Sequence, residues 1–120
     1  MSIYLKDNVY DDIRDVSPVA AVTKGDVAQV ADVIGFYMWN GDAADEVTFV
    51  VNAKQALADK TTGTGEDIQT GEYVYLNLTT GEVSATKGVG MLFCGYAKET
   101  ASETATTVLI KFVGEDIGIA

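Results

Sequence analysis

Short runs in which apolar and polar residues alternate follow one another along most of the chain, about ten residues apart. Glycine, asparagine, aspartate and threonine separate the runs, as turns do in an all-β domain. The runs themselves are rich in Val, Thr, Ile, Tyr and Phe, the residue types that strands prefer. The pattern predicts strands at residues 26–30, 33–38, 46–51, 72–78, 82–85, 91–97 and 106–112.

The segments between these strands give further expectations. The pair Asn40 and Gly41 favours a type I′ hairpin turn. Residues 59–70 are rich in Thr, Gly and Asp and are predicted to form an exposed, mobile loop. Residues 53–57 are a weaker strand candidate, and the alanine-rich stretch 53–58 could instead make one short helix. The chain is therefore predicted to be all-β, as a small single-domain β-barrel or sandwich whose last strand pairs with residues 91–97.

The first 17 residues are more acidic than the rest and contain the chain's one arginine, Arg14. Apolar residues recur there at the spacing of one helical face, at Leu5, Val9, Ile13 and Val16. Aspartate, asparagine and valine are poor helix formers, however, and Pro18 favours extended geometry just before it. We interpret residues 1–17 as an extended N-terminal arm with room for one helical turn, and residues 18–120 as the β domain. A frayed terminus is the alternative.

The charge and composition exclude several classes of protein. Among 120 residues, 18 are acidic, 8 are basic and none is histidine, for a net charge of -10. Nucleic-acid binding is not expected, because it needs clustered lysine and arginine. The apolar runs are shorter than a membrane span, and the first residues do not have the pattern of a signal peptide. We therefore expect neither a nucleic-acid nor a membrane partner.

Candidate catalytic chemistry is sparse. Without histidine there is no Ser-His-Asp triad or Cys-His dyad, and Cys94 lies in the most apolar strand, where a buried, unreactive thiol is expected. Glycines near residue 90 match no complete phosphate-binding loop, and the carboxylate clusters are typical of a solvated acidic surface. We predict no enzyme, no cofactor and no metal site. Tyr37 and Trp39 could stack on a ligand, or they could pack in the core.

Six short motifs occur in a fixed order between residues 19 and 112. They are Val-Thr-Lys-Gly-Asp-Val at 22–27, Val-Ile-Gly-Phe at 33–36, a β run ending in lysine at 47–54, Ile-Gln-Thr-Gly-Glu-Tyr-Val-Tyr-Leu at 68–76, Phe-Cys-Gly-Tyr-Ala at 93–97, and Val-Leu-Ile-Lys-Phe at 108–112. Their order and spacing resemble a family of small tailed-phage and prophage proteins understood as capsid cement or decoration proteins. The chain departs from the family pattern in three places, with bulky residues after Gly35, Ala53 in place of a proline and Lys111 in place of an arginine.

The resemblance implies a structural protein on the outer surface of a virion, made in the host cytoplasm. Such a protein binds the outer face of an icosahedral shell, often as a homotrimer, and bridges neighbouring major capsid subunits, which stabilises the expanded shell. An arm that orders on binding can add a strand to the edge of a capsid sheet. The contact residues expected on this hypothesis are Leu5, Val9, Tyr10, Ile13, Arg14 and Val16 in the arm, with Tyr37 and Trp39 as a possible aromatic contact.

The net charge fits this interpretation, because an acidic face keeps crowded particles from associating and suits the outside of a shell better than its DNA-filled inside. A second hypothesis is a phage tail, fibre or host-surface module that binds carbohydrate through Tyr37 and Trp39. An enzyme that works with carboxylate, tyrosine or lysine side chains alone is the third.

Overall fold

The computed structural model describes residues 3–5 and 12–115, and these residues form one antiparallel sheet without a helix. Its strands are β1 (Ile3–Leu5), β2 (Asp12–Val16), β3 (Val27–Val30), β4 (Val33–Tyr37), β5 (Val47–Asp59), β6 (Tyr73–Asn77), β7 (Val83–Ser84), β8 (Met91–Ala97) and β9 (Thr107–Val113). The predicted all-β class is confirmed, and so is the pairing of the last strand with β8.

The sheet runs in the order β3-β4-β5-β9-β8-β6-β7. The strands β4 and β9 follow one another along one edge of the long strand β5, and β1 and β2 pair with its opposite edge. The far end of β5 returns to β7 through a parallel bridge between Lys60 and Val83. The N–H of Thr61 donates to the carbonyl of Val83 at 3.1 Å in the same place. The sheet therefore curls into a half-barrel instead of lying as an open layer.

The strand β5 organises the fold because both of its edges are paired along most of its length. One edge pairs with β2 and then β1, and the other pairs with β4 and then β9. The sequence predicted a strand at 46–51 followed by either a weaker strand at 53–57 or a short helix at 53–58, and the helical alternative is wrong. The small side chains of Ala53, Ala56 and Ala58 are buried inside the curl, where backbone pairing on both edges holds the segment extended.

Two apolar clusters lie on opposite faces of the sheet. The inner core fills the curl and includes Phe36 and Phe112, whose rings meet edge to face at 5.2 Å between centroids. The outer core lies on the other face of β4 and β5 and consists of Tyr37, Val47, Phe49 and Val51. Half-buried side chains from residues 16–33 pack over the outer core, at Val16, Val22, Ala28, Val30 and Val33.

The predicted hairpin turn at Asn40 and Gly41 is wrong. Neither residue has the positive φ that a type I′ turn requires, and Gly41 forms a bridge with Val22. The tight two-residue turn occurs instead between β3 and β4, where Ala31 has a φ of 53°. The Asn40 side chain is used elsewhere, because its Oδ1 accepts the N–H of Lys24 at 2.8 Å.

The predicted exposed loop at residues 59–70 is only partly exposed. Asp59 ends β5, Lys60 is 1% exposed, and Ile68 is fully buried in the inner core. Ile68 and Ala101 exchange two backbone hydrogen bonds of 2.8 Å each. Threonine and glycine content therefore identified a connection between strands but not its anchors, which are one lysine and one isoleucine.

The described parts of the N-terminal arm are extended and pair with β5. Ile3 lies opposite Ala58, and β2 runs beside residues 47–52, so residues 12–16 form a strand instead of a helical turn. Ile3 is fully buried in the inner core. The edge of β5 that does not pair with β4 or β9 offers hydrogen-bond partners to a segment with weak helix propensity, which explains the extended geometry.

Candidate functional site

The described residues contain no group of three or more His, Cys, Asp or Glu side chains placed to hold a metal ion. Cys94 is fully buried, as predicted, and its Sγ lies 3.6 Å from the carbonyl oxygen of Val74. Burial raises the pKa of the Cys94 thiol, which keeps it protonated and unreactive. The candidate sites described below are surfaces of the molecule that could contact a partner.

A small apolar cleft brings together three of the contact residues predicted from the sequence. Leu5, Tyr37 and Trp39 all line it, and the cleft has a volume of about 80 Å³. Ile3 and Met38 form part of its wall, and Lys24 is the one charged residue among those that line it. The cleft is large enough for one apolar side chain of a partner, and we call it the Trp39 cleft.

The backbone around the Trp39 cleft is held from two sides. The N–H of Met38 donates to the carbonyl of Thr48 at 2.9 Å, which fixes the chain just before Trp39 onto β5. On the other side, the N–H of Ile3 donates to the carbonyl of Gly25 at 3.2 Å. The segment after β4 is thus attached to β5, and the N-terminal strand is attached both to β5 and to the turn before β3.

The two aromatic residues of the sequence analysis have different environments. Trp39 is 56% exposed, whereas Tyr37 is 4% exposed and its ring packs on Phe49 with centroids 5.0 Å apart. Burial raises the pKa of Tyr37, and the nearby Asp26 carboxylate raises it further. Tyr37 is therefore a member of the outer core and is not available as a stacking surface, while Trp39 is.

The remaining predicted contact residues of the arm are divided between the faces of β2. Ile13 is 40% exposed and lies opposite Val50, while Arg14 is exposed and lies opposite Phe49. Val16 is half-buried against the outer core. Because neighbouring strand residues point to opposite faces, Ile13 and Arg14 do not share one contact surface. Val9 and Tyr10 lie outside the described residues.

One open cavity among the described residues was not predicted from the sequence. It is an open groove of about 620 Å³ between residues 16–22 and β3, with the turn at residues 78–81 at its border. Val19, in its wall, is fully exposed. The apolar stretch Val19–Ala20–Ala21–Val22 after Pro18, which lies in no predicted strand, is the signal that could have identified this groove.

The sequence analysis also missed a polar network at the closure of the half-barrel. The buried Lys60 ammonium donates to the carbonyls of Thr61 and Ala105 at 2.7 and 3.4 Å. Nearby, Glu66 Oε1 accepts the hydroxyls of Thr61 and Ser84, each at 2.7 Å. These hydrogen bonds, and more weakly the charge of Lys60, lower the pKa of Glu66 despite its partial burial. The network joins β5, the following loop and β7, so its evident role is structural.

The fold and these surfaces define a small, acidic all-β protein that offers an apolar cleft, an apolar groove and an exposed tryptophan. Comparison of the chain with family models, with curated proteins and with solved structures finds no match. Within residues 3–5 and 12–115, no helix has the length and hydropathy needed to cross a membrane.

Proposed function

We propose that this protein is a capsid cement or decoration protein that binds the outer face of a phage head and bridges major capsid subunits. The observation that carries the proposal is the position of the six motifs in the fold. In chain order they fall on the turn before β3, on β4, on β5, on the segment that ends in β6, on β8 and on β9. The motifs behind the resemblance are thus successive elements of one sheet and not scattered alternation.

The exposed apolar side chains support a contact role. Trp39 and Ile13 are 56% and 40% exposed, and Leu5 lines the Trp39 cleft beside Trp39. A large aromatic side chain at the surface of a contact region is the typical centre of a binding hot spot. The Trp39 cleft is therefore the part of the molecule that we assign to the shell.

The stabilising effect follows from linkage. A protein that binds only the expanded, assembled lattice lowers the free energy of that state alone. Many copies bound to one shell add their contributions, so a modest affinity at each site has a large effect on the particle. The net charge of -10 keeps decorated particles apart and favours the outer surface.

The experiment is co-sedimentation of the purified protein with undecorated expanded capsids, beside unexpanded capsids as the control. We expect binding to the expanded shells only, together with an increase in the temperature at which they break open. Absence of co-sedimentation and of any gain in heat resistance would refute the proposal. Light scattering on the free protein would separate a monomer from the homotrimer that the resemblance implies.

A carbohydrate-binding module is the second candidate, and the exposure of Trp39 favours it. An indole face beside a cleft that also contains Lys24 can stack on a sugar ring and donate to its hydroxyls. Binding to a glycan array that disappears in Trp39→Ala, without any binding to shells, would select this function over the first.

A further inference from the structure

The outer edge of β3 is unpaired among the described residues, because β3 is the last strand of the sheet on that side. In the β3–β4 hairpin, Val30 lies opposite Val33 across the two-residue turn, and Ala28 lies opposite Gly35. These are the hydrogen-bonded pairs of such a hairpin, and the bond from Tyr37 N–H to the Asp26 carbonyl at 3.0 Å continues the series. The N–H and C=O groups of Val27 and Gln29 therefore point away from β4.

The groove described above runs along this free edge. All four residues of β3 line it, and consecutive strand residues point to opposite faces of a sheet. A cavity that is lined by both faces of a strand must lie along the strand's edge. The donors and acceptors of Val27 and Gln29 thus open into the groove.

The opposite wall is apolar and fixed in place. It is formed by residues 16–22, in which Val16 and Val22 pack on the outer core. Val22 exchanges backbone hydrogen bonds of 2.9 and 3.0 Å with Gly41, and the Pro18 carbonyl accepts the N–H of Ala44 at 2.7 Å. The wall is therefore bound to the loop after β4 and leaves its other side open toward β3.

From this arrangement we infer that the groove binds an extended peptide segment of a partner protein, which adds to the sheet as a strand beside β3. Main-chain hydrogen bonds to Val27 and Gln29 supply the register, and alternate apolar side chains of the segment enter the groove. Four residues of β3 pair with a segment about 13 Å long. The assignment of that segment to a capsid subunit rests on the proposed function, but the groove itself does not.

Charge selects a basic segment over a second copy of this chain. Asp26 is the one charged residue among those that line the groove. The chain carries a net charge of -10, so two copies repel each other. A segment in which apolar residues alternate with lysine or arginine satisfies both the apolar wall and the acidic surroundings.

The test uses three capped synthetic peptides and the full chain. The first peptide alternates valine with lysine, and the second has glutamate in place of each lysine. The third is the lysine peptide with proline in place of every other valine. We expect the lysine peptide to bind about tenfold more tightly than the glutamate peptide, and the proline peptide not to bind, because it cannot form the ladder. Amide chemical shifts of Val27 and Gln29 should move on titration with the lysine peptide.

Two variants separate the groove from general charge effects. Val19→Lys places a cation in the wall and should weaken the lysine peptide about fivefold. Val89→Lys makes the same change at another fully exposed valine that does not line the groove, and should leave binding unchanged. Gln29→Pro removes an outward N–H from the edge strand and should weaken binding about tenfold.

Equal binding of all three peptides, or equal affinities of Val19→Lys and Val89→Lys for the lysine peptide, would overturn the inference. Concentration-dependent self-association that Gln29→Pro abolishes would also overturn it, because the occupant would then be a second copy. Co-sedimentation with expanded shells is measured separately on the same variants. If the unaltered chain does not bind expanded shells, only the proposed function is refuted. If the unaltered chain binds them and Val19→Lys binds equally well, the assignment of the segment to the capsid is refuted.

Discussion

Phe112 and Phe49 are both fully buried phenylalanines, but they lie in different kinds of core. Phe112 belongs to the inner core, which strands β4 to β9 and the buried Ile3 surround. Phe49 belongs to the outer core, which is covered by partly buried side chains from residues 16–33. The inner core is closed by paired strands, whereas the outer core is closed by a loop segment and an edge strand.

This difference separates stability from recognition. The inner core includes residues from distant parts of the chain, and its closure depends on the Lys60 bridge to β7. The outer core borders the groove and the free edge of β3. Regions with fewer enclosing contacts open at lower free energy, and binding elements are commonly drawn from them. We therefore place the stability of the fold in the inner core, and the binding of an extended segment in the groove beside the outer core.

The largest effect is expected from removing the two phenylalanine rings in turn. Phe112→Ala should lower the free energy of unfolding by about 4 kcal/mol, and Phe49→Ala by about 3 kcal/mol, because the thin outer core can collapse around the cavity. Urea unfolding followed by circular dichroism measures both values. If Phe49→Ala costs as much as Phe112→Ala, the two cores are equally rigid and the comparison fails.

The close approach of β8 to β9 gives the next effect. Gly95 has a φ of 145°, and a Cβ added there would lie 1.8 Å from the carbonyl oxygen of Lys111. Gly95→Ala should therefore cost about 3 kcal/mol, since backbone on the partner strand must move. Gly90→Ala is the matched control, because Gly90 also has a positive φ but open space around it. Gly90→Ala should lower the free energy of unfolding by about 1 kcal/mol. Equal losses for the two variants would show that the positive φ, and not the contact with β9, determines the loss of stability.

Alternation predicted the strands of the inner core well, because one-sided burial is what produces that pattern. Alternate residues of these strands are buried in the inner core, at Val74 and Leu76 in β6 and at Val108, Ile110 and Phe112 in β9. Alternation also predicted the strand at 46–51, which is part of β5, although Phe49 and Val51 face the outer core while Val50 faces the inner one. Residues 53–58 looked helical because alanine has a high helix propensity, which does not encode the pairing that holds them extended.

The contact surfaces could be predicted only in part. Trp39 was identified by residue type and is exposed, but Tyr37, two residues earlier in the chain, is buried in the outer core. For the groove beside β3, the apolar stretch at residues 19–22 indicates one wall, but the distance between that wall and β3 is not encoded in a residue pattern. Likewise, nothing around Lys60 in the sequence indicates burial, because its partners Thr61 and Ala105 are backbone carbonyls.

A smaller effect is expected from the carboxylate beside the inner-core closure. Glu66 accepts hydrogen bonds from Thr61 and Ser84, and its pKa lies below the ordinary value of 4.5. Its contribution to stability is therefore complete above about pH 4.5 and is lost as the pH falls through the folded-state pKa. Glu66→Gln should cost about 1 kcal/mol at pH 7 and much less in acid. The urea midpoints of the variant and of the unaltered protein, compared between pH 7 and pH 3, measure how this stability difference decreases.

Glu46→Gln is the control for the Glu66 variant, because it makes the same change of charge at an exposed loop position. It should leave the urea midpoint at pH 7 within the error of the measurement. A stability difference between Glu66→Gln and the unaltered protein that stays constant down to pH 3 would contradict a role for the ionised carboxylate.

The smallest effect on folding is expected where the effect on binding is largest. Trp39→Ala removes a ring that is 56% exposed, so the free energy of unfolding should change by no more than about 0.5 kcal/mol. Its affinity for expanded shells should nevertheless fall about thirtyfold if the Trp39 cleft is the centre of the contact. Tyr73→Ala, at an aromatic residue that is 50% exposed and does not line the cleft, is the matched control for co-sedimentation. Equal shell binding by both variants would move the contact away from Trp39, and the exposed edge of β3 would then be the surface to test next.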